Sequence, residues 1–171
     1  ESSVEISELT TEQNQIFNEM IDAKDYYLLW GPPGTGKTSV MLRHIVEYIS
    51  QEQKQTVLVL AYTNRAVDEI CASIKSIRPE DEDLFIRIGS SYSCGEEYKS
   101  TLLRKRIVGM NRRSEISKLL TNTNLYVSTV SSIINRTDLL KMKQFDTIII
   151  DEASQILEPM LVGLLSHAKR F

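Results

Sequence analysis

Residues 31–38 read Gly-Pro-Pro-Gly-Thr-Gly-Lys-Thr, and this octapeptide constrains the fold of the 171-residue chain more than any other feature. A short apolar run, Tyr26 to Trp30, precedes it, and a segment with apolar residues at helical spacing, Thr38 to Ser50, follows it. Glycines let the backbone curl tightly between two such elements. The pattern predicts a buried strand, a tight loop and a helix in direct succession, which is a unit of a parallel α/β sheet.

The octapeptide matches the phosphate-loop pattern G-x-x-x-x-G-K-[ST] at every position. In such a loop several backbone N–H groups point at one anion, and the following helix adds the positive end of its dipole. We expect the Lys37 ammonium to reach the β- and γ-phosphates and the Thr38 hydroxyl to ligate Mg²⁺. The alternative is a chance glycine-rich turn. The predicted nucleotide-binding residues are Gly31, Pro32, Pro33, Gly34, Thr35, Gly36, Lys37 and Thr38.

Strand and helix patterns alternate along the rest of the chain. Apolar, β-branched runs predict strands at Thr56 to Ala61, Leu84 to Ile88, Leu125 to Ser128 and Thr147 to Ile150. Helical spacing predicts helices from a capping box at Thr10–Gln13 to about Lys24, from Asn64 to Ile77, and from Pro159 onward. Strands separated by helices predict an α/β domain, with a mostly parallel sheet that helices cover on both faces.

The last predicted strand ends in two carboxylates, Asp151 and Glu152. Ligands of open α/β sheets bind beyond the C-terminal ends of the strands, so this pair belongs beside the octapeptide. We expect Asp151 to hold Mg²⁺ through its water shell and Glu152 to orient and deprotonate an attacking water. The alternative is a strand that runs into an acidic helix N-terminus, which helix electrostatics also favour. Together the two motifs predict ATP and Mg²⁺ as cofactors.

The two cysteines, Cys71 and Cys94, have neither zinc nor disulfide spacing. Cys71 falls among apolar positions of a helix and is predicted to be a buried structural thiol. A reducing intracellular compartment is expected, the cytoplasm or, in a eukaryote, the nucleus. No stretch approaches about 18 apolar residues, so we expect no membrane span.

Several motifs occur in the order found in superfamily 1B helicases. Gln13, GPPGTGKT, VLVLAYTNRAVDEI, YVSTVSS and DEASQ resemble, from about Leu9 to Phe171, the Upf-type and Dna-type group, also written as DEAxQ or AAA-domain helicases. The resemblance implies a RecA-like first motor domain that hydrolyses ATP to move on single-stranded DNA or RNA. The alternatives are a nucleotide- or nucleic-acid-binding module without helicase activity and a kinase with the same loop. The chain shows no sign of the acceptor pocket and lid that a kinase needs.

The resemblance assigns roles near the nucleotide to Gln13 and Gln155. Gln13 matches the glutamine that reads the adenine edge, because an amide can accept and donate at once. Alternatively it only completes the capping box. Gln155 matches the glutamine near the γ-phosphate that couples nucleotide state to nucleic-acid binding, and it joins Lys37 and Glu152 in the predicted catalytic set. Alternatively it is a polar surface residue.

The resemblance places Tyr62, Thr63, Asn64 and Thr129 against single-stranded nucleic acid. The sequence departs from the usual A-P-S-N of this group by reading A-Y-T-N, so Tyr62 resembles an aromatic residue that stacks on a base. The alternatives are a half-buried tyrosine for Tyr62 and a simple helix cap for Thr129.

Segment 90–123 interrupts the alternation, because a crossover between parallel strands needs only about a dozen residues. Between Lys99 and Lys118 seven basic residues stand against one acidic residue, Glu115, so this part carries about +6 although the whole chain carries −3. We predict a small, basic, helical insertion. Its basic face could follow a nucleic-acid path, or its helices could simply cover a sheet edge.

The resemblance also implies that residues 1–171 are an N-terminal motor domain, incomplete at its C-terminus. The next strand and a G-D-x-x-Q loop are expected directly after Phe171, followed by a second motor domain that supplies transition-state arginines. We therefore expect the isolated chain to be weakly active or inactive.

Replacement of Lys37 by alanine should abolish nucleotide binding and leave the fold intact, because no other residue of the loop supplies a cation for the phosphates. Titration of a fluorescent ATP analogue into both proteins measures the effect. Equal affinity of the two proteins would contradict the phosphate-loop assignment.

Overall fold

The computed structural model describes residues 3–32 and 34–171, without the side chain of Lys37. Its described residues form a five-stranded sheet in the order β2-β3-β1-β4-β5, and each neighbouring pair is parallel. The strands are β1 (Val57–Ala61), β2 (Ile86–Ile88), β3 (Leu125–Thr129), β4 (Phe145–Ile150) and β5 (Ala168–Arg170). The α/β fold with a parallel sheet is confirmed.

The helices of the described residues lie between and beside these strands. They are α1 (Thr11–Asp22), α2 (Arg43–Glu47), α3 (Asn64–Lys75), α4 (Leu103–Arg106), α5 (Arg113–Asn122), α6 (Val130–Ile134), α7 (Thr137–Met142) and α8 (Glu158–Leu165). Wider π-helical turns, Lys37–Leu42 and Tyr48–Glu52, extend α2 at both ends. The predicted helices at these positions are confirmed, whereas α6 and α7 were not predicted. None of the described helices is long and apolar enough to cross a membrane.

Alternate residues of each strand face two separate cores, as side chains of a strand must. On one face, Val57 and Val59 of β1 pack with apolar residues of α1, α2 and α3, including Phe17, Ile45 and Ile70. On the other face, strand residues such as Leu58 and Tyr126 pack with α4 to α8. Helices therefore cover both faces of the sheet, and the strand residues are buried on both sides.

The predicted strand from Tyr26 to Trp30 is wrong. Only its start pairs: the Phe171 N–H donates to the Asp25 carbonyl and the Tyr27 N–H donates to the Phe171 carbonyl, both at 3.0 Å. Within the described residues no strand pairs with residues 28–30, and Leu28 and Trp30 are 78% and 91% exposed. An apolar run needs a neighbour to become a strand, and residues 28–30 have no such neighbour among the described residues.

β5 itself was not predicted, since the next strand was expected only after Phe171. It pairs with β4 through Phe145↔Ala168 and Thr147↔Arg170. The Arg170 guanidinium explains its position, because it donates to the Ile21 and Ala23 carbonyls at the end of α1 and to the Thr147 hydroxyl. One side chain thus ties β5 to both α1 and β4.

Segment 90–123, predicted to be an insertion, packs against the β2 edge of the sheet. Leu102 forms an isolated parallel bridge with Arg87, and Leu102, Leu103 and Leu120 are buried. Arg106 is bonded to Asp83, which precedes β2, so this cation lies at the starting end of the strands. The exposed basic side chains are Arg104, Lys105, Arg112, Arg113 and Lys118.

A buried ion pair joins α3 to β2. The Arg87 side chain is 1% exposed, its Nη1 donates to Asp68, and its Nη2 has no partner within the described residues. Asp68 also accepts from the Gly95 N–H at 3.3 Å. Cys71 lies beside this pair, and burial raises the pKa of its thiol to about 12. The prediction that Cys71 is buried is confirmed.

Replacement of Asp68 by alanine should destabilise the fold by roughly 3 kcal/mol, because it leaves the buried Arg87 charge uncompensated. Urea unfolding measures the change. The matched control is Glu69→Ala on the same helix, which removes an exposed pair with Arg65 and should cost at most about 0.5 kcal/mol. Equal unfolding midpoints for the two variants would contradict a structural role for the Asp68–Arg87 pair.

Candidate functional site

The glycine-rich loop, residues 31–38, takes the conformation that its glycines allow. Gly34 and Gly36 have φ values of 81° and 80°, in the left-handed region that other residues avoid. The Thr35 hydroxyl donates to the Pro32 carbonyl at 2.9 Å and closes the turn from within. The helix then begins with the N–H groups of Val40 and Met41 both donating to the Gly36 carbonyl. Pro33 and the Lys37 side chain, both predicted to bind nucleotide, lie outside the described residues.

The two motifs meet through Thr38 and Asp151. The Thr38 hydroxyl donates to the Asp151 carboxylate, with distances of 3.0 and 3.2 Å to its two oxygens. The Asp151 N–H donates to the Leu60 carbonyl at 2.8 Å, which fixes this residue at the end of β4. Both predicted magnesium ligands are therefore in contact, although 113 positions separate them in the sequence.

Glu152 follows Asp151 in a strained backbone conformation. Its φ of 51° and ψ of 46° are left-handed, which costs a residue other than glycine about 1–2 kcal/mol. Such conformations persist where the surroundings enforce them, and they cluster at functional sites. The side chain of Glu152 is exposed and accepts a hydrogen bond from the Gln155 amide. The structure thus brings together two of the three residues predicted to be catalytic.

Ser73 contacts this site, which no sequence pattern predicted. Its hydroxyl lies 3.2 Å from the Thr38 carbonyl and 3.3 Å from the Ser39 carbonyl, and it shares its one proton between them. Ser73 lies on α3, whose first turn contains Asn64. A contact between residues 35 positions apart has no local pattern, so only the packing of α3 against the helix after the loop reveals it.

Gln13 occupies the first turn of α1. Its N–H donates to the Thr10 hydroxyl at 3.2 Å, and its side-chain oxygen accepts from the Thr10 N–H at 3.0 Å. The predicted capping box is confirmed. The Gln13 side chain is half-exposed. Its amide oxygen takes part in the cap, and its amide nitrogen does not.

Tyr62, Thr63 and Asn64 directly follow β1. The Thr63 hydroxyl accepts from the Ala66 N–H at 3.1 Å and caps α3. Thr63 is exposed, Asn64 is half-buried, and Tyr62 is 48% exposed. These side chains therefore border solvent at the C-terminal edge of the sheet.

Thr129 ends β3, the neighbour of β1, and Ala61 pairs with it. Its hydroxyl accepts from the Ser132 N–H at 3.1 Å and donates to the Ser132 hydroxyl at 2.8 Å. Thr129 is only 4% exposed, whereas Ser132 is half-buried. Thr129 therefore caps α6. Of the two hydroxyl residues, Thr129 and Ser132, it is Ser132 that borders solvent.

The residues present fit a magnesium ion that binds together with phosphates. The described residues contain no group of three or more histidine, cysteine or acidic side chains that could hold a metal by themselves. Mg²⁺ characteristically binds through one or two protein oxygens, waters and phosphate oxygens. Thr38 and Asp151 supply a hydroxyl and a carboxylate of this kind beside a glycine-rich loop suited to phosphate.

Known proteins resemble this chain in sequence over nearly its whole length. JHS1 of Arabidopsis thaliana, named a DNA replication ATP-dependent helicase/nuclease, is 34% identical over 163 residues, which cover 95% of this chain and 12% of that protein. DNA2 of Mus musculus, which carries the same description, is 31% identical over 165 residues, or 95% of this chain and 15% of that protein. DNA2 of Saccharomyces cerevisiae is 28% identical, with 95% and 10% covered.

The chain thus spans only about 10–15% of the length of these relatives. A family model described as an AAA domain matches residues 8–110 and 99–171. Because these two ranges together include every residue from 8 onward, this chain belongs to the AAA domain family.

Proposed function

We propose that this chain is the nucleotide-binding part of a helicase motor that hydrolyses ATP with Mg²⁺ and acts on single-stranded DNA. The single observation that carries the proposal is the contact between Thr38 and Asp151, at 3.0 and 3.2 Å. It joins a complete phosphate-loop motif to a strand-end carboxylate, which is the pairing that holds Mg²⁺ in phosphate-loop NTPases.

ATP would bind with its phosphates in the glycine-rich loop. The left-handed Gly34 and Gly36 shape that loop, and the Lys37 ammonium would neutralise the phosphates. Thr38 and Asp151 would hold Mg²⁺, which when bound would neutralise charge on the phosphate oxygens and so favour attack of water on the γ-phosphorus. Gln13, at the start of α1, would use its free amide nitrogen at the adenine edge.

Glu152 is placed to orient and deprotonate the attacking water. It directly follows the proposed magnesium ligand, its carboxylate is exposed, and its strained backbone holds it beyond the end of β4. The hydrogen bond from Gln155 gives this carboxylate a fixed partner, through which Gln155 would sense the γ-phosphate.

Single-stranded DNA would bind at the same edge of the sheet, beyond β1 and β3. Thr63 and Asn64 are positioned for backbone phosphate, and Tyr62 presents nearly half of its surface for stacking on a base. The names of the relatives, which are DNA replication helicase/nucleases, favour DNA over RNA. The role in DNA replication that these names state also supports an intracellular location for this chain.

We also propose that residues 1–171 are the first motor domain of a longer helicase, with 90–123 as an insertion within it. Two observations support this proposal. The relatives are several times longer than this chain, and residues 28–30 lack a neighbouring strand among the described residues. A second motor domain would supply the transition-state arginines, which are worth about 10³–10⁵ in rate in related enzymes.

The second candidate function is a binding module that holds nucleotide or DNA without turning ATP over. The exposed, strained Glu152 favours the motor, since a binding module has no use for a carboxylate held directly after Asp151 at an energetic cost. Steady-state ATP turnover by the full-length protein, with and without single-stranded DNA, separates the two. DNA-stimulated turnover supports the motor, and its absence supports the module.

Replacement of Thr38 by valine should remove the magnesium-dependent part of nucleotide affinity, a loss of about 10- to 100-fold. Valine keeps the shape of threonine but offers no oxygen to the metal. An ATP analogue is titrated in Mg²⁺ and in EDTA. The control, Thr38→Ser, keeps the hydroxyl and should bind nearly as the parent does. A magnesium dependence unchanged in Thr38→Val would show that the metal binds elsewhere.

Replacement of Glu152 by glutamine should leave Mg·ATP binding near normal in the full-length protein and lower hydrolysis by about 10²–10⁴. The change keeps the shape and the hydrogen bond to Gln155 but removes the base. Glu158→Gln, an exposed acidic residue in the first turn of α8, is the control and should turn over ATP at the parental rate. Parental turnover by Glu152→Gln would assign the base to another residue.

A further inference from the structure

The turn after β2 presents an aromatic ring entirely to solvent. β2 ends at Ile88, and a short 3-10 turn, Ser91–Ser93, follows it. The Ser90 hydroxyl accepts from the Tyr92 N–H at 3.3 Å and fixes the start of this turn. Tyr92 is 97% exposed, more than any other large apolar residue described.

This turn lies next to the proposed DNA-binding residues. β2 pairs in parallel with β3, and the Ser128 hydroxyl donates to the Ile88 carbonyl at 3.2 Å, so the two strands end side by side. A Cβ atom added to Gly89 would lie 3.8 Å from the Ser132 hydroxyl. The C-terminal edge therefore presents the ends of β2, β3 and β1 in that order, and Tyr92 follows the first of these strands in the chain while Tyr62 follows the last.

The fold gives no account of this ring. A side chain at 97% exposure buries almost no surface, so it adds almost nothing to the hydrophobic stability of the domain. Single exposed apolar residues are common and need no explanation by themselves. The position of Tyr92 in the chain indicates a role, because it follows β2, and the end of β2 lies beside the end of β3 at the edge proposed to hold single-stranded DNA.

The charges around Tyr92 indicate what kind of contact the ring could make. Glu96 and Glu97 follow in the chain. The nearest cations in sequence are Arg87, which is buried and paired with Asp68, and Lys99, which is paired with Glu96. This end of the row therefore offers little attraction to phosphate. An aromatic face binds a base by stacking, which needs no positive charge and tolerates any base.

We propose that Tyr92 is a base-stacking contact that extends the DNA-binding edge past β3 to the end of β2. The inference rests on the proposed function, because it concerns the same single strand. Adjacent strands are about 4.8 Å apart, so the ends of β2 and β1 are separated by roughly 10 Å. A strand of DNA lying along this edge would meet Tyr62 at one end and Tyr92 at the other.

The first test is affinity for a fluorescent oligo(dT). Tyr92→Ala should weaken binding by about 5- to 150-fold, and Tyr92→Phe should restore it, because stacking needs the ring and not the hydroxyl. Thermal unfolding of Tyr92→Ala should match the parent. The control is Val108→Ala, which alters another exposed apolar residue of the insertion, close to Arg106 at the opposite end of β2.

The dependence of affinity on salt gives a second, independent readout. Phosphate contacts release counterions and set the salt slope, whereas stacking does not. Tyr92→Ala should therefore lower affinity by the same factor at every salt concentration. A changed salt slope would mean that the loss comes from displaced phosphate contacts and would overturn the stacking role.

A transferred tryptophan reports on the contact directly. The chain has one tryptophan, so Trp30→Phe combined with Tyr92→Trp places a single indole at the proposed contact. Oligo(dT) should quench its fluorescence, while Trp30→Phe with Val108→Trp should show no quenching. Binding with no quenching at position 92, or unchanged affinity of Tyr92→Ala, would overturn the inference alone. Failure of the parent to bind oligo(dT), or binding of oligo(U) only, would instead contradict the proposed DNA-binding function.

Discussion

The parallel pairing of β1 with β3 on one side and β4 on the other determines where the candidate functional residues that follow these strands lie. Ala61 is opposite Thr129, and Leu60 is opposite Ile150, so these three strands end almost level with one another. Parallel strands all finish at the same edge, and the residues that follow them must gather there. Asp151 follows β4, Thr63 follows β1, and both therefore face the same side of the molecule.

The helix α3 connects the two halves of this edge physically. It begins beside Thr63, at the proposed DNA-binding residues, and its Ser73 donates to the carbonyl of Thr38, at the proposed magnesium site. Midway, Asp68 is bonded to the buried Arg87 of β2. A single rigid element thus contacts the nucleotide loop, the end of β1 and the strand that leads to Tyr92.

At the β5 edge of the sheet, no further strand follows among the described residues. Beyond β5, residues 25–27 pair only with Phe171, and the rings of Tyr26 and Phe171 stack with centroids 5.8 Å apart. Leu28 and Trp30 are exposed directly before the glycine-rich loop. Unpaired strand edges with apolar side chains tend to recruit another strand. The exposed apolar residues of this edge are consistent with the proposal that more of the sheet forms in a longer protein.

Local sequence determined the elements with strong periodic or turn signals. The capping box at Thr10, the glycine-rich loop and the apolar runs of β1, β3 and β4 are each set by neighbouring residues, so the sequence predicted them and the α/β class. The prediction of a strand from Tyr26 to Trp30 was wrong. A strand forms only where a neighbouring strand offers it hydrogen bonds, and the apolar pattern carries no information about that neighbour. β5 was not predicted for a related reason: Arg170 holds this strand in place through contacts with α1, which is distant in the sequence.

The sequence predicted Thr38 and Asp151 as site residues, but only the tertiary structure decided that their side chains touch. It also decided that Ser73 contacts the end of the glycine-rich loop and that the turn with Tyr92 follows β2 at the C-terminal edge of the sheet. Each of these contacts depends on how strands that are distant in the chain are ordered in the sheet.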